Sequence, residues 1–209
     1  MEQKIAKKLL EIGAVFLRPD EPFIWASGIK SPVYCDNRLI LTALQARDVV
    51  ENALADTVKT HFPQAEVLMG TATAGIAHAA IAASILNLPM GYVRSGAKGH
   101  GRENQIEGHL ECGQKVVVVE DLISTAGSSI EVVEVLRSAG AEVLGIVSIF
   151  TYGMRRGIEN LQNAKIKNIS LSNFDVLVQT AVNEGFIKEK DVAKLLKFRN
   201  NPNDESWRD

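Results

Sequence analysis

Two acidic residues, Glu120 and Asp121, stand between the apolar run Val116–Val119 and the small residues Ser124 to Ser129 in the stretch VVVVEDLISTAGSS. Carboxylates accept hydrogen bonds from the vicinal hydroxyls of a sugar, and hydroxyl side chains with closely approaching backbone N–H groups suit a phosphate. If the small residues open a helix, its first N–H groups and its dipole point at the same anion, which is then held without a lysine. Sugar hydroxyls beside a phosphate describe a ribose phosphate. Ser and Thr also cap helices, and acids also occupy solvated turns. The strand, the acid pair and the cradle in series are more specific than a cap. A second segment, YVRSGAKGHGRENQIEGHL, interleaves Arg94, Lys98, His100 and Arg102 with Gly96, Gly99 and Gly101. Its glycines ease large backbone changes, and its cations can close over a pyrophosphate, exclude water and supply charge where a leaving group turns negative. A solvated basic loop is the plainer alternative.

These side chains meet only if the chain between them folds to bring them together, and its hydrophobic rhythm indicates how. The opening MEQKIAKKLLEIGAVFLRP repeats Ile5, Leu9 and Ile12 at helical spacing, which predicts an amphipathic helix. Residues 21–41, EPFIWASGIKSPVYCDNRLIL, mix turn formers with β-type residues and predict a short strand pair and a loop. A helix follows at about 42–60. Strands and helices then alternate: VLMG at 67–70, a Gly/Ala-rich helix near 75–87, a strand near 90–93, and a polar glycine-containing loop at 94–108. After VVVV at 116–119 come a helix carrying Ile130, Val133 and Leu136 that stops at Gly140, and the strand VLGIVSIF at 143–150. Continuous apolar strands separated by helices predict an α/β fold, a parallel sheet covered on both faces with ligands at the carboxyl ends of its strands. Glu120 and Asp121 then fall where a buried strand ends and a helix is about to begin. One compact unit is expected, and only the tail NNPNDESWRD reads as a frayed end.

Composition narrows the partners. With 46% hydrophobic and 23% charged residues, the 209-residue chain can bury a substantial core. A formal charge of −2 offers no broad basic surface, so an anionic ligand must be held locally and nucleic acid is disfavoured. Cys35 and Cys112 have neither disulfide-framework nor zinc spacing and read as reduced, buried thiols. No apolar run approaches the roughly 20 residues that span a bilayer, and Glu11 interrupts any secretory apolar region, so no membrane partner is expected and the cytoplasm is the default address. His78 lies in the Ala-rich helix and reads as a packed side chain, His61 and His109 as surface residues.

The run VVVVEDLISTAGSS resembles the phosphoribosyl-pyrophosphate signature of type I phosphoribosyltransferases: apolar residues, an acidic pair, then a phosphate loop. The resemblance implies that Glu120 and Asp121 hold the ribose hydroxyls and that Ser124, Thr125, Ala126, Gly127 and Ser128 bind the 5′-phosphate, with Leu122 and Ile123 in the same substrate-binding stretch. The Arg-x-x-x-Lys-x-His-Gly spacing of the second segment is similar to the mobile catalytic loop of the orotate phosphoribosyltransferase family. There the loop works across a dimer interface, so Arg94, Lys98 and His100 would contact pyrophosphate in trans within a homodimer of shared sites. FIWASGIKSPVYCDNR resembles the family's Ser-Gly-x-x-Ser-Pro segment, part of a hood over the base. Ser27, Gly28, Lys30, Tyr34 and Cys35 would line that hood, and Arg156 in TYGMRRG would approach the orotate region.

The resemblance covers most of the chain. It implies a type I phosphoribosyltransferase fold: a central, mostly parallel sheet flanked by helices in a single domain over 1–209. Its hood would lie mainly in 1–40, its ribose-phosphate core at about 60–170 and its C-terminal helices at 175–200. The implied reaction moves the 5-phosphoribosyl group from phosphoribosyl pyrophosphate to orotate, giving orotidine 5′-monophosphate and pyrophosphate in pyrimidine synthesis. The sugar passes through an oxocarbenium-like state, Lys98 and His100 neutralise the leaving group, and Mg²⁺ is held mainly by substrate and water oxygens, with Asp121 as a possible ligand. Two cations common in the family are missing, since Ala26 and Ala74 stand where lysines are usual, and Ser95 follows Arg94. Lys30 is a candidate replacement. Two rivals remain: a phosphoribosyltransferase for a purine or uracil, against which the hood and cationic loop speak, and a nucleic-acid-binding regulator on the same fold, which would need an added helical module or a basic face.

Overall fold

The computed structural model describes residues 1–24, 28–94, 96 and 105–208. The opening amphipathic stretch folds as α1 (Glu2–Glu11), with Ile5 and Leu9 fully buried. Then β1 (Val15–Leu17), β2 (Phe23–Ile24), β3 (Lys30–Ser31) and β4 (Val33–Cys35) form two antiparallel ribbons, β1 with β4 and β2 with β3. A 3₁₀ helix, Asn37–Thr42, leads into α2 (Leu44–His61). The alternating region follows as β5 (Val67–Thr71), α3 (Gly75–Leu86), β6 (Met90–Val93), β7 (Ile106–Glu107), β8 (Lys115–Ile123), α4 (Gly127–Ser138), β9 (Glu142–Thr151), α5 (Arg155–Asn163) and β10 (Asn168–Asn173). Helices α6 (Phe174–Asn183) and α7 (Val192–Asn200) and a 3₁₀ turn at Glu205–Arg208 complete the chain.

Among the described residues the main sheet runs β10-β9-β8-β5-β6-β7, parallel except for the antiparallel edge strand β7. The mostly parallel α/β sheet read from the sequence is present. Its central strands are apolar without interruption because both faces are covered. Alternation along β8 sends Val116 and Val118 toward α4, with its Val132, Val133 and Leu136. Val117 and Val119 join the opposite cluster, which holds Leu54 of α2, Ala79 and Ala82 of α3, and Leu177 of α6. The helix after the acid pair stops as its glycine predicts. Gly140 takes a φ of +89°, its N–H reaches the Arg137 carbonyl, and the Ala141 N–H reaches that of Leu136, the two bonds of a Schellman end.

The topology places the cleft. From β5 the chain crosses through α3 to β6 on one side; from β8 it crosses through α4 to β9 on the other. The two connections leave in opposite directions, so a crevice opens between the carboxyl ends of β5 and β8, the usual ligand position in doubly wound sheets. Pairing between β5 and β8 ends at Gly70 opposite Val119, while β9 keeps pairing with β8 as far as Ile123 opposite Thr151. The strand therefore runs four residues past the valines, and Glu120 and Asp121 lie within it, one-sided, rather than in a turn beyond it.

Other expectations are corrected. The segment 94–108 is not all loop, since Ile106 and Glu107 pair with Val93 and Tyr92. Cys112 is exposed in the turn before β8, not buried, and Cys35 is half-buried; both are free thiols. Although α1 lies in the stretch assigned to the hood, it packs on α6 and β10 as part of the main core. Among the described residues no helix is long and apolar enough to cross a membrane.

The tail is not frayed. Trp207 is only 1% exposed, with its ring edge-on to Phe198 at 5.7 Å. Lys197 Nζ donates to the Ser206 carbonyl at 2.6 Å, and Lys194 Nζ to that of Arg208 at 3.1 Å. The sequence misleads here because its polar residues surround one aromatic anchor whose pocket is built by α7. Trp207→Ala should cost about 3–5 kcal/mol in denaturant unfolding, as for other large-to-small core changes. Because the buried indole N–H has no partner, Trp207→Phe should cost less than half of that.

Candidate active site

Glu120 is 5% exposed, yet it is a carboxylate at the end of a core strand. Burying it is tolerable only if its oxygens are filled. Oε1 accepts from Thr71 Oγ1 at 2.7 Å and from the Asp121 N–H at 2.9 Å, and Oε2 accepts from Ser129 Oγ at 2.8 Å. The same side chain thus joins the end of β5, the end of β8 and the first turn of α4. Asp121 is half-buried and lines the same cavity as Glu120. Burial, and then the hydrogen bond and like charge of Glu120, push its carboxyl up to about 8.

Around the acids lies a cavity of about 260 Å³, lined by the Thr71–Ala74 turn, Arg94, Gln105, Leu122, Ser128 and Glu131 among others. The turn lies close to β8 because of Gly75: a Cβ there would sit 2.5 Å from both Thr71 Oγ1 and the Val119 carbonyl. Arg94 pairs with Glu107 at 3.0 Å, and its main chain is bonded twice to Gln105.

The predicted phosphate loop leaves the strand at Ser124. Ala126 holds a left-handed φ of +62°, which costs an L-residue about 1–2 kcal/mol and turns the chain directly into α4. The first N–H groups of that helix have no intrahelical acceptor, which makes its start a ready anion site. The loop is held from behind: Asn160 Nδ2 donates to the Thr125 carbonyl at 2.9 Å, and Ser124 Oγ donates to Met154 Sδ at 3.6 Å. A Cβ on Gly157 would collide with the Ser124 carbonyl, so only glycine lets α5 come this close. A second cavity of about 540 Å³ is lined by Ser124, Thr125 and Arg156, by Ile29 from the N-terminal ribbons, and by Asn200–Asn203. Arg156 is exposed there, with no ion-pair partner among the described residues.

The expected residues divide accordingly. Glu120, Asp121, Leu122, Ser128 and Arg94 share the first cavity, and Ser124, Thr125 and Arg156 share the second, with Ala126 and Gly127 in the turn between Thr125 and α4. Ile123 is instead a core residue, packed in the cluster beneath α4, and its carbonyl accepts from the Tyr152 N–H. Lys30, expected to face the base, is tied to Glu205 at 3.1 Å, because in β3 it is Ser31 that turns inward. Tyr34 packs its ring 5.5 Å from Phe23 and is 41% exposed. Lys98 and His100, with Ser27, lie outside the described residues. His78 is packed, as expected, with Nδ1 2.5 Å from Glu51 Oε1; His61 and His109 are exposed. Asn160 and Glu131 escaped the sequence reading, as did the use of the Thr71 and Ser129 hydroxyls as donors to Glu120. Thr71 had a local signal, as the hydroxyl that ends a buried strand.

A profile of the phosphoribosyl transferase domain matches residues 39–184. The chain is 58% identical over 207 residues to the orotate phosphoribosyltransferase of Bacillus cytotoxicus and 56% identical to that of Bacillus cereus, covering 99% of each chain in both comparisons. It also superposes on the crystal structure of orotate phosphoribosyltransferase from Aeropyrum pernix with a TM-score of 0.76 and 33% identity, over 88% of this chain and 99% of that one. With an acid pair and a helix start converging on the crevice of a phosphoribosyltransferase sheet, and with near full-length likeness to such relatives, the chain belongs to the orotate phosphoribosyltransferase family.

Proposed function

We propose that the protein transfers the 5-phosphoribosyl group from phosphoribosyl pyrophosphate to orotate, yielding orotidine 5′-monophosphate and pyrophosphate. The observation that carries this reading is the single strand end at which Asp121 faces the cleft while the next helix, α4, presents its open N-terminus. A pentose held by the acid would thereby place its 5′-phosphate on the loop Ser124–Ser128. Glu120 Oε2 accepts one bond and keeps a lone pair that can take a ribose hydroxyl. The Thr71–Ala74 turn and Arg94 stand at the pyrophosphate end, and the second cavity, with the free guanidinium of Arg156, suits an anionic base.

The bond from C1 to the pyrophosphate oxygen breaks as the orotate ring nitrogen bonds to C1. The sugar is cationic in between, and the leaving group takes the electron pair. No residue attacks covalently; the chain orients both partners and stabilises the separated charges. We assign neutralisation of the leaving pyrophosphate to Lys98 and His100 of a second copy, in a homodimer with shared sites. One of the two would supply its proton. We further assign a single domain in which β1 to β4 form the hood, acting in the cytoplasm.

The donor set fits Mg²⁺ bound mostly through substrate. Among the described residues no three His, Cys, Asp or Glu side chains converge as a cage, and Asp121 is the one half-exposed carboxylate of the acid pair, matching an ion that keeps water and substrate oxygens and takes few from protein. When bound, the ion supplies positive charge to the pyrophosphate and ribose oxygens.

The test is loss of orotate absorbance on mixing the protein with phosphoribosyl pyrophosphate and Mg²⁺; wild-type protein that consumes uracil or a purine but not orotate would refute the assignment. Lys98→Ala and Asp121→Asn should each lower kcat by about 10²–10³-fold, as for loss of a preorganised charged group. Mixed in equal amounts and allowed to exchange subunits, the two variants should recover about a quarter of wild-type activity, since half the dimers are then mixed and each has one intact site. No recovery would rule out sites shared across the dimer. Arg156→Ala should raise the KM for orotate about 10–100-fold, the loss of one charge-assisted contact, with the KM for phosphoribosyl pyrophosphate nearly unchanged.

A further inference from the structure

Past Val119 the strand β8 has lost β5 as a neighbour but is still paired with β9 through Glu120 and Leu122. The main-chain groups of Asp121 therefore face the side where β5 has ended, and no strand is there to meet them. Two side chains take its place. The Asp121 N–H donates to Glu120 Oε1 at 2.9 Å, and the Asp121 carbonyl accepts from Asn37 Nδ2 at 2.8 Å. Glu120 is itself fixed by Thr71 and Ser129. Asn37 is fixed as well. It is 1% exposed, its Oδ1 accepts from the Cys35 thiol at 3.4 Å, and the preceding Asp36 anchors the turn by accepting from the Arg38 N–H at 3.2 Å and pairing with its guanidinium at 2.6 Å. Asn37 opens the 3₁₀ helix directly after β4, 84 residues before Asp121 in the chain. Among the described residues, the segment that follows the N-terminal ribbons thus reaches the acid pair through a carboxamide aimed at the backbone of the residue that faces the cleft.

We propose that Asn37 is a positioning residue of the reaction: by holding the Asp121 carbonyl opposite the Glu120 clamp on its N–H, it sets where the Asp121 carboxylate stands relative to the pentose. This rests on the function proposed above and adds a residue that touches no substrate. Asn is required because the position must donate to a carbonyl and accept from a thiol at once. Asp has the same shape but no donor, and would set an anion against a carbonyl oxygen. A group misplaced by a fraction of an ångström loses rate without losing the fold.

The experiment is a double-mutant cycle between Asn37 and Asp121, using Asn37→Asp and the milder Asn37→Ser, each alone and with Asp121→Asn. Phosphoribosyl pyrophosphate binding is read by calorimetry without orotate, kcat and both KM values by orotate loss, and the folded fraction by thermal melting. With Asp121 intact, either Asn37 substitution should weaken phosphoribosyl pyrophosphate affinity and lower kcat/KM for it by about 10–100-fold at temperatures where the variant is fully folded, the scale of a misplaced reacting group, with the KM for orotate within about threefold. With Asp121→Asn, the same substitution should change either quantity less than about threefold, because coupled residues are non-additive. Equal losses in both backgrounds, or losses that only track the melting temperature, would overturn the role. Because calorimetry needs no acceptor base, a protein that shows the coupling but leaves orotate untouched would sink the proposed function and spare Asn37, whereas an active wild type with independent effects would do the reverse.

Discussion

A carboxylate inside a protein is an expense that the surrounding structure must offset, and in this chain Glu120 determines much of what surrounds it. Three donors from three elements, Thr71, Ser129 and the Asp121 N–H, converge on its two oxygens. Removing one partner of such a buried charged group leaves the other uncompensated, which costs more than the bond itself contributes. The end of β5, the end of β8 and the start of α4 therefore cannot move independently. The crevice between β5 and β8 is prescribed by topology, but its width and the direction of its walls are prescribed by this carboxylate.

The same arrangement separates the tasks of two adjacent acids. Glu120 is held by three donors of the chain, whereas the side chain of Asp121 accepts none of the hydrogen bonds that fix the strand end. Burial and the neighbouring Glu120 raise the pKa of the Asp121 carboxyl. A positive charge or a set of hydroxyl donors arriving in the cleft favours the ionised form, so ligand binding and proton release are linked there. A short distance further on, Ala126 takes up left-handed backbone strain so that α4 can begin at once.

What was legible in the sequence was whatever is local. The valine run, Gly140 as a helix stop, the 3.6-residue rhythm of Ile5 and Leu9, and the acid-to-phosphate-loop order each follow from near neighbours along the chain, and each is present. What was not legible depends on partners distant in sequence. Thr71 meets Glu120 across 49 residues, Asn160 meets Thr125 across 35, and Lys30 meets Glu205 across 175. Nothing in the composition of SGIKSP distinguishes a lysine that faces a ligand from one that meets the chain's own tail. The strand was read as ending with its last valine because the apolar pattern stops there, whereas a ladder with β9 does not require apolar side chains and continues. Trp207 was lost in a polar tail because one aromatic has no periodicity.

The described residues of the cleft supply little of the positive charge that the proposed reaction needs. Glu120, Asp121 and Glu131 line it together with a single described cation, Arg94, whose guanidinium is already paired with Glu107. The family's usual lysines are alanines at positions 26 and 74, and Lys30 is engaged by Glu205. A ligand carrying a pyrophosphate would meet an acidic wall, and the start of α4 favours only the anion at its own end, because the field of a helix terminus falls off within about one turn. Under the proposed function, the positive charge has two candidate sources: a divalent cation brought with the pyrophosphate, and Lys98 and His100 of a second copy. On that reading, the cleft gathers enough positive charge for the leaving group only with its full set of partners, which would restrain loss of pyrophosphate to water before the acceptor base is seated.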